Sequence, residues 1–429
     1  MAIKERLLKQ LNNVQDGLRA MPPFHSRDLQ AMRNALLQTR DLCFQGLSES
    51  RFAEYKDTFD GLLLASEQLA TDAPDKEEIV SLCSELLQYM IAQTQKETAF
   101  KKEIFFLPYK ASMWDSLESV WKAADKDKEH CIAYVMPIPY ADLTPEHTVA
   151  EWHCERGLFP KYVPTVNWEE IDLKEIQPDV IYIHNPYDEY NRVTSVESRY
   201  YSSVLKDQTD KLVYIPYFVL DEVLPGDEGA EEDISNFILT PAVLNADEVI
   251  VQSEDMRKVY INVLIRHTNQ KDRAYWEERI LGLGSPKIEK VLTSKKEDFE
   301  LPESWAKIVR GKKVILYNTS LTAMLQNSDK VCEKLRYVFD VFKNRDDVAL
   351  WWRPHPLMKA TVHSMRPEIE KEYCQIEQQY IKEGWGVYDD TANLHRAITW
   401  SDAYYGDVSS VITLYRQTKK SVLIQDMIV

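Results

Sequence analysis

Val348–Pro356, VALWWRPHP, joins a run of five apolar residues to a polar loop. A run without strict alternation suits a strand buried on both faces of a parallel sheet. Two prolines then restrain the backbone around one Arg and one His. Lys313–Ser320 (KVILYNTS) and Asp402–Ser410 (DAYYGDVSS) follow the same plan, an apolar run that opens onto hydroxyl-bearing residues. Helical patterns lie around these runs, at 329–344, 367–383, 393–400 and 409–416, with short strands predicted at 386–388 and 421–425. Alternating strands and helices predict a doubly wound α/β domain over residues 286–429.

The same alternation runs upstream. Glu103–Pro108 (EIFFLP), His130–Met136, Val180–Ile183, Lys211–Ile215 and Glu248–Val251 read as buried strands. Helices are predicted at 113–124, 195–204 and 256–264, so residues 101–285 form a first α/β domain that ends at the break Gly282–Pro286. Residues 1–100 differ. Ala31–Phe44, Phe52–Leu69 and Ile79–Ile91 carry apolar side chains near helical spacing, with breaks at Pro22-Pro23 and Ala73-Pro74 and a candidate cap at Ser26. Four helices in a bundle or arm are expected there, with a structural role or homo-oligomerisation as their task.

Composition narrows the function. Lys plus Arg number 52 and Asp plus Glu 69, a net charge of −17. Such a balance argues against non-specific nucleic-acid binding, which needs many cationic phosphate contacts. Only 12 glycines occur, and neither Gly282/Gly284 nor Gly384/Gly386 completes a dinucleotide-binding fingerprint. Gly311-Lys312 lacks the remainder of a P-loop. The six cysteines form no C-x-x-C pair, which suggests reduced thiols and a cytoplasmic setting. MAIKERLLKQLNNVQDG has no apolar core of signal-peptide length, and no run of apolar residues is long enough to span a bilayer.

Ligands of doubly wound sheets bind at the carboxyl ends of the strands. Three predicted loops fall there. Thr319 and Ser320 could cap a helix or hold a phosphate. Arg353 offers a rigid fork of donors, and His355 a donor or a proton. Asp407, Ser409 and Ser410 open a helix whose first N–H groups make an anion site, or they form an ordinary cap. In the first domain, His184 and Asp188 follow the strand Val180–Ile183. His184 could take a proton from an acceptor hydroxyl, or bond to its own loop. No D-x-D segment or His/Cys cluster stands in these loops to suggest a metal, and no cofactor is expected.

The pair Arg353-Pro354-His355-Pro356 and Asp407-Val408-Ser409-Ser410 resembles the C-terminal half of the CDP-glycerol glycerophosphotransferases, the enzymes that build teichoic-acid polymers. The same His-Pro and Ser-Ser motifs resemble those of bacterial sialyl- and polysialyltransferases. The likeness extends over roughly residues 250–426, including ADEVIVQSEDM, the LGLGSPKIEKV linker and the closing SVLIQD. It implies a glycosyltransferase-B-like pair of doubly wound domains, here preceded by an all-helical domain. It implies a cytidine nucleotide on the C-terminal domain, with the loops of Arg353 and His355 and of Asp407, Ser409 and Ser410 on its phosphates; Thr319 and Ser320 join them by their place at a strand end. The glycerophosphotransferases carry a His-Gly-Thr-Pro-Leu-Lys segment in the first domain, where this chain has Tyr214-Ile215-Pro216-Tyr217-Phe218.

The leading expectation is a metal-independent transferase. It would move a polyol-phosphate unit such as glycerol phosphate from a CDP-activated donor to a hydroxyl of a polymer or lipid-linked acceptor, in teichoic acid or capsule. It would work in the cytoplasm or peripherally at the inner face of the membrane. His355 would protonate the leaving phosphate, and His184 with Asp188 would serve the acceptor. Two other readings stay open: a nucleotide-sugar glycosyltransferase, and a nucleotide-binding scaffold with little catalysis.

Overall fold

The computed structural model describes residues 2–20, 25–71, 75–144, 148–191, 194–327, 330–355, 358–391 and 393–425. Met1, Pro22, Pro23, Ala73, Pro74, Asp329, Pro356 and Asp426 of the segments quoted above lie outside them. The fold is a helical N-terminal region followed by α/β structure on two parallel sheets.

Four helices come first: α1 (Ala2–Ala20), α2 (Ser26–Gly46), α3 (Glu49–Leu69) and α4 (Lys76–Lys96). Their cores follow from spacing. Leu7, Leu11, Val14 and Leu18 stack along one face of α1, and Tyr55, Phe59, Leu62, Ala65 and Leu69 along one face of α3; all are buried together. The N-cap of α2 is His25 rather than Ser26, which is already inside the helix. The helices are tied to the sheet that follows. Arg6 pairs with Glu103 at 2.8 Å, Lys101 N donates to Gly46 O at 2.8 Å, and Phe100 packs on the helical core. Burial raises the pKa of the Glu103 carboxyl, and Arg6 opposes that shift.

Among the described residues nine strands follow: β1 (Lys102–Leu107), β2 (Cys131–Val135), β3 (Tyr140–Leu143), β4 (Val149–His153), β5 (Val180–Ile183), β6 (Thr194–Val196), β7 (Lys211–Tyr214), β8 (Glu248–Ile250) and β9 (Ile280–Leu281). Six form a sheet of order β2-β1-β5-β7-β8-β9, in which every pairing is parallel. From β1 the chain crosses to β2 on one side and later returns to β5 on the other, so the order reverses between β1 and β5. The remaining three form an antiparallel sheet, β4-β3-β6. A helix was expected over 195–204. Instead Thr194–Val196 pairs with β3, and only Ser202–Leu205 is α-helical. Two of the three residues in Thr-Ser-Val are β-branched, a type that packs well on a pleated surface.

The second sheet comprises β10 (Lys313–Thr319), β11 (Val348–Pro354), β12 (Val387–Tyr388), β13 (Ala403–Gly406) and β14 (Ser421–Ile424), all parallel, in the order β12-β11-β10-β13-β14. Here the order reverses between β10 and β13. Both faces are covered. Trp352, Tyr317 and Leu350 join one core, while Trp351, Leu316, Ala349 and Tyr404 join the other. This two-sided burial is why VALWW shows no alternation.

Compactness divides the chain into two units. One holds residues 1–215, 232–250 and 263–281; the other holds 216–231, 251–262 and 282–429.

Candidate functional site at the end of the second sheet

The strand ends bring the sequence motifs of the second unit together. Ser320 follows β10, His355 follows β11, Asp389 follows β12 and Asp407–Ser410 follow β13. Hydrogen bonds weld these loops. His355 N donates to Thr319 O at 3.0 Å, and Asp407 N to Asn318 O at 3.0 Å. Ser320 N donates to Asp407 Oδ2 at 2.8 Å, and Asn318 Nδ2 to Ser409 Oγ at 3.1 Å. The contacts between the loops after β10 and β13 span the point where strand order reverses. That point is where doubly wound sheets leave a crevice for a ligand.

The two tryptophans of VALWW anchor this rim from below. Trp352 Nε1 donates to Thr319 Oγ1 at 3.3 Å, and Trp351 Nε1 to Asp389 Oδ2 at 3.0 Å. They lie on opposite faces of the strand, so each reaches a different neighbouring loop.

Several expected ligand-holding groups have protein partners. Arg353 is 6% exposed; it pairs with Asp389 at 3.0 Å and donates to Thr391 O at 2.6 Å. Burial lowers its pKa, and Asp389 opposes that. Ser320 caps the helix Leu321–Gln326, its Oγ accepting from Ala323 N at 3.2 Å. Asp407 is buried against Lys334, a residue of the helix Val331–Lys343. Asp389 also accepts from Thr391 Oγ1 at 2.6 Å and lies 3.4 Å from Arg396.

The more open groups are different ones. His355 is half-buried, and its imidazole pKa lies below the ordinary 6.5 because of burial first and the Arg353 charge second. Ser409 precedes the eight-residue helix Ser410–Gln417, but its hydroxyl makes no cap bond. It is turned to Asn318 instead. The first turn of that helix, with exposed Ser410, thus keeps N–H groups that no side chain caps.

In the first unit, His184 and Asp188 occupy the loop after β5, but they do not touch each other in any described bond. His184 is fully buried where strand order reverses. Its Nε2 accepts from Tyr109 N, just past β1, at 3.2 Å, and its Nδ1 lies 2.9 Å from Ser116 Oγ. A backbone N–H can only donate, so Nε2 carries no proton. Ser116 Oγ donates to Met113 O at 2.8 Å and therefore receives the Nδ1 proton. Asp188 is 1% exposed with a positive φ of 45°, and its Oδ2 accepts from Ser202 N at 2.8 Å and Ser202 Oγ at 2.6 Å. Burial raises its pKa, and the Ser202 bonds work against that.

Sequence reasoning missed Lys334, Asp389 and Arg396. Lys334 sits three residues after Val331 and one before Leu335, on the buried stripe of its helix, and that spacing was a usable signal. Among the described residues, no helix is long and apolar enough to cross a membrane.

Searched by sequence, the chain matches no family model and no curated protein. Solved structures with a similar fold include a putative UDP-N-acetylglucosamine 2-epimerase from Listeria monocytogenes, with a TM-score of 0.45 and 14% identity over 77% of this chain and 80% of that one. Another is MnaA of S. aureus with UDP, with a TM-score of 0.44 and 12% identity over 75% and 78%. A third is the wall teichoic acid polymerase TagF, with a TM-score of 0.40 and 14% identity over 86% and 78%. Scores and identities this low bear on no residue's role.

Proposed function

We propose that the second unit binds the diphosphate of a cytidine nucleotide and that the chain is a transferase of polyol-phosphate units, glycerol phosphate in the first instance. The observation that carries the reading is the crevice between the ends of β10 and β13. There a helix N-terminus not capped by a side chain, the Ser409 hydroxyl and the Ser410 hydroxyl stand beside the loop that ends at His355. Helix N-termini and hydroxyls favour bound anions. The resemblance of the His-Pro and Ser-Ser motifs to CDP-glycerol glycerophosphotransferases supplies the cytidine and the glycerol phosphate.

In this reading the acceptor hydroxyl attacks the phosphorus that carries the glycerol. The P–O bond to the CMP moiety breaks, CMP leaves with the bonding electrons, and the acceptor hydroxyl gives up its proton to solvent. The charge that builds on CMP is met by the helix Ser410–Gln417, Ser409 and Ser410, and by a proton or hydrogen bond from His355. Arg353, Asp407, Thr319 and Ser320 keep the walls of the crevice in register. His184 and Asp188 enter as positioning residues of the first unit. The acceptor is a hydroxyl of a cell-surface polymer or its lipid-linked precursor, reached from the cytoplasmic side.

A thermal-shift panel with CDP, CMP, UDP, GDP and ADP, each with and without chelator, tests the reading. CDP or CMP at about 100 times its dissociation constant adds about 2.7 kcal/mol of stability. The expected result is preference for cytidine that survives chelation. Preference for UDP, or loss with chelator, overturns it. Binding of CDP without any turnover of CDP-glycerol would leave a nucleotide-binding scaffold and remove the transferase.

A further inference from the structure

Helices α3 and α4 each bury one face in the bundle and carry a second apolar line at the surface. On α4, Leu82, Leu86 and Tyr89 recur at spacings of four and three, which sets them in one line along the helix. Leu82 is 51% and Tyr89 56% exposed, while Leu86 is half-buried. On α3, Gly61 and Leu64 share a line in the same way, and Leu64 is 57% exposed. Two observations put these lines side by side. A Cβ on Gly61 would lie 3.6 Å from Leu86 Cδ1, and Gln68, four residues past Leu64, lines one hollow with Leu82. The two helices therefore wall an apolar groove with Gly61 in its floor. A methyl would fit there at ordinary contact distance, so packing inside the bundle does not call for a glycine, which weakens a helix interior. Its effect is to keep the groove open.

Acidic groups edge the groove. Asp57 and Asp60 stand four residues before Gly61 and Leu64, and Glu78 and Glu85 flank Leu82 at four and three. All four are exposed. The nearby arginines are engaged elsewhere, Arg33 with Glu67 and Arg51 with Glu54 and Glu97. Lys56 stands in line with Leu63, on another side of α3, and Lys96 is the last residue of α4, two turns beyond Tyr89. The charge selects the occupant. A second copy of this face would set carboxylates against their own kind, and an anionic lipid surface would be repelled. An amphipathic helix lays apolar anchors spaced three and four apart into such a groove, and Lys or Arg beside those anchors would meet the acidic edges.

We infer that the groove between α3 and α4 docks a basic amphipathic helix of a partner protein, its apolar face on Leu64, Leu82, Leu86 and Tyr89 and its cations at Asp57, Asp60, Glu78 and Glu85. The inference rests on the helical bundle and is independent of the nucleotide reading.

Fluorescence anisotropy on the full chain tests it, with a labelled Leu/Lys peptide of about five helical turns whose leucines follow the three-and-four spacing. The comparators are a peptide of the same composition with that spacing scrambled and a Leu/Glu peptide with the spacing kept. The Leu/Lys helix should bind, the scrambled peptide about tenfold more weakly, and the Leu/Glu helix not at all. The double variant Leu82→Ser/Tyr89→Ser should weaken binding about tenfold or more. Asp57→Asn/Glu85→Gln should weaken it about threefold and flatten its salt dependence. Leu158→Ser, at an exposed apolar residue outside the bundle, should bind like the parent. Each altered side chain is exposed, so melting temperatures should stay at the parental value. The proposal falls if the scrambled peptide binds as tightly as the helix, since charge alone would then explain binding. It falls too if the Leu82/Tyr89 variant binds like the parent, or if sedimentation shows a dimer of the chain that this variant dissociates, since a second copy would then be the occupant.

Discussion

Asn318 Nδ2 donates to Ser409 Oγ at 3.1 Å, joining residues 91 apart across the point where the order of the second sheet reverses. The bond draws the Ser409 hydroxyl away from its own helix and leaves that helix without a side-chain cap. Ser409→Ala should therefore cost little stability, since a typical hydrogen bond contributes about 0.5–1.5 kcal/mol. Nucleotide affinity should fall about tenfold or more, because a bond to a charged oxygen contributes about 1.5–3 kcal/mol. Titration calorimetry with CDP checks this. Parental affinity with a much lower melting temperature would make Ser409 a purely structural residue.

Protonation of His355 offers a second test. Burial and Arg353 hold its pKa below 6.5. Between 6.5 and that lower value the unfolded chain binds the proton and the folded chain does not. Stability is thus fully present above 6.5 and falls as pH drops through this window. His355→Gln should flatten that part of the curve. A bound diphosphate reverses the balance by favouring imidazolium, so CDP binding at about pH 6 should take up a proton. Calorimetry in two buffers of different ionisation enthalpy reads the uptake directly. Equal enthalpies in both buffers would remove His355 from the phosphates.

The legible parts of this fold are those whose signal is local. VALWW reads as a central strand because Trp351 and Trp352 are both buried, on opposite faces. The strand ends then place the loops, and the loops place Thr319, His355 and Ser409. What the sequence concealed lies in pairings made by tertiary structure. Nothing near Asp389 announces Arg353, 36 positions earlier, or Trp351. Thr194–Val196 is too short a run to outweigh the helical pattern beside it, and its strand character depends on β3. Lys334 lies on the buried spacing of its helix, but its type points the other way, since a lysine in an amphipathic helix is ordinarily on the wet face.

That lysine should be costly to lose. Lys334 and Asp407 pair with side chains only 3% and 4% exposed. Lys334→Met would leave a buried carboxylate with the Ser320 N–H as its described partner. Breaking such a pair from one side costs about 3–5 kcal/mol. Urea denaturation should show this loss in the second unit. The double variant Lys334→Met/Asp407→Leu should recover part of it, because no unpaired charge remains. A single variant as stable as the parent would mean that the pair contributes nothing to stability.

Gly406 makes the tightest approach at the site. Its φ is +146°, and a Cβ placed on it would lie 2.2 Å from Asn318 O and 2.9 Å from Asn318 N. Those are backbone atoms of β10, held in register by the pairing of Asn318 with Gly406. They cannot rotate away as a flexible side chain would. Gly406→Ala must therefore either part the ends of β10 and β13 or force a strained backbone, which alone costs about 1–3 kcal/mol. Parting the strands also pulls Asp407 N from Asn318 O and Ser409 from Asn318, the two bonds that define the crevice. The expected variant is destabilised by at least about 2 kcal/mol, and its folded fraction binds CDP more weakly than the parent. Gly384→Ala is the control. Gly384 also has a positive φ, of +63°, but a Cβ there meets nothing within 4 Å, so it tests strain without the clash. If both variants lose similar stability and both keep parental CDP affinity, the close approach of β10 and β13 does not shape the site.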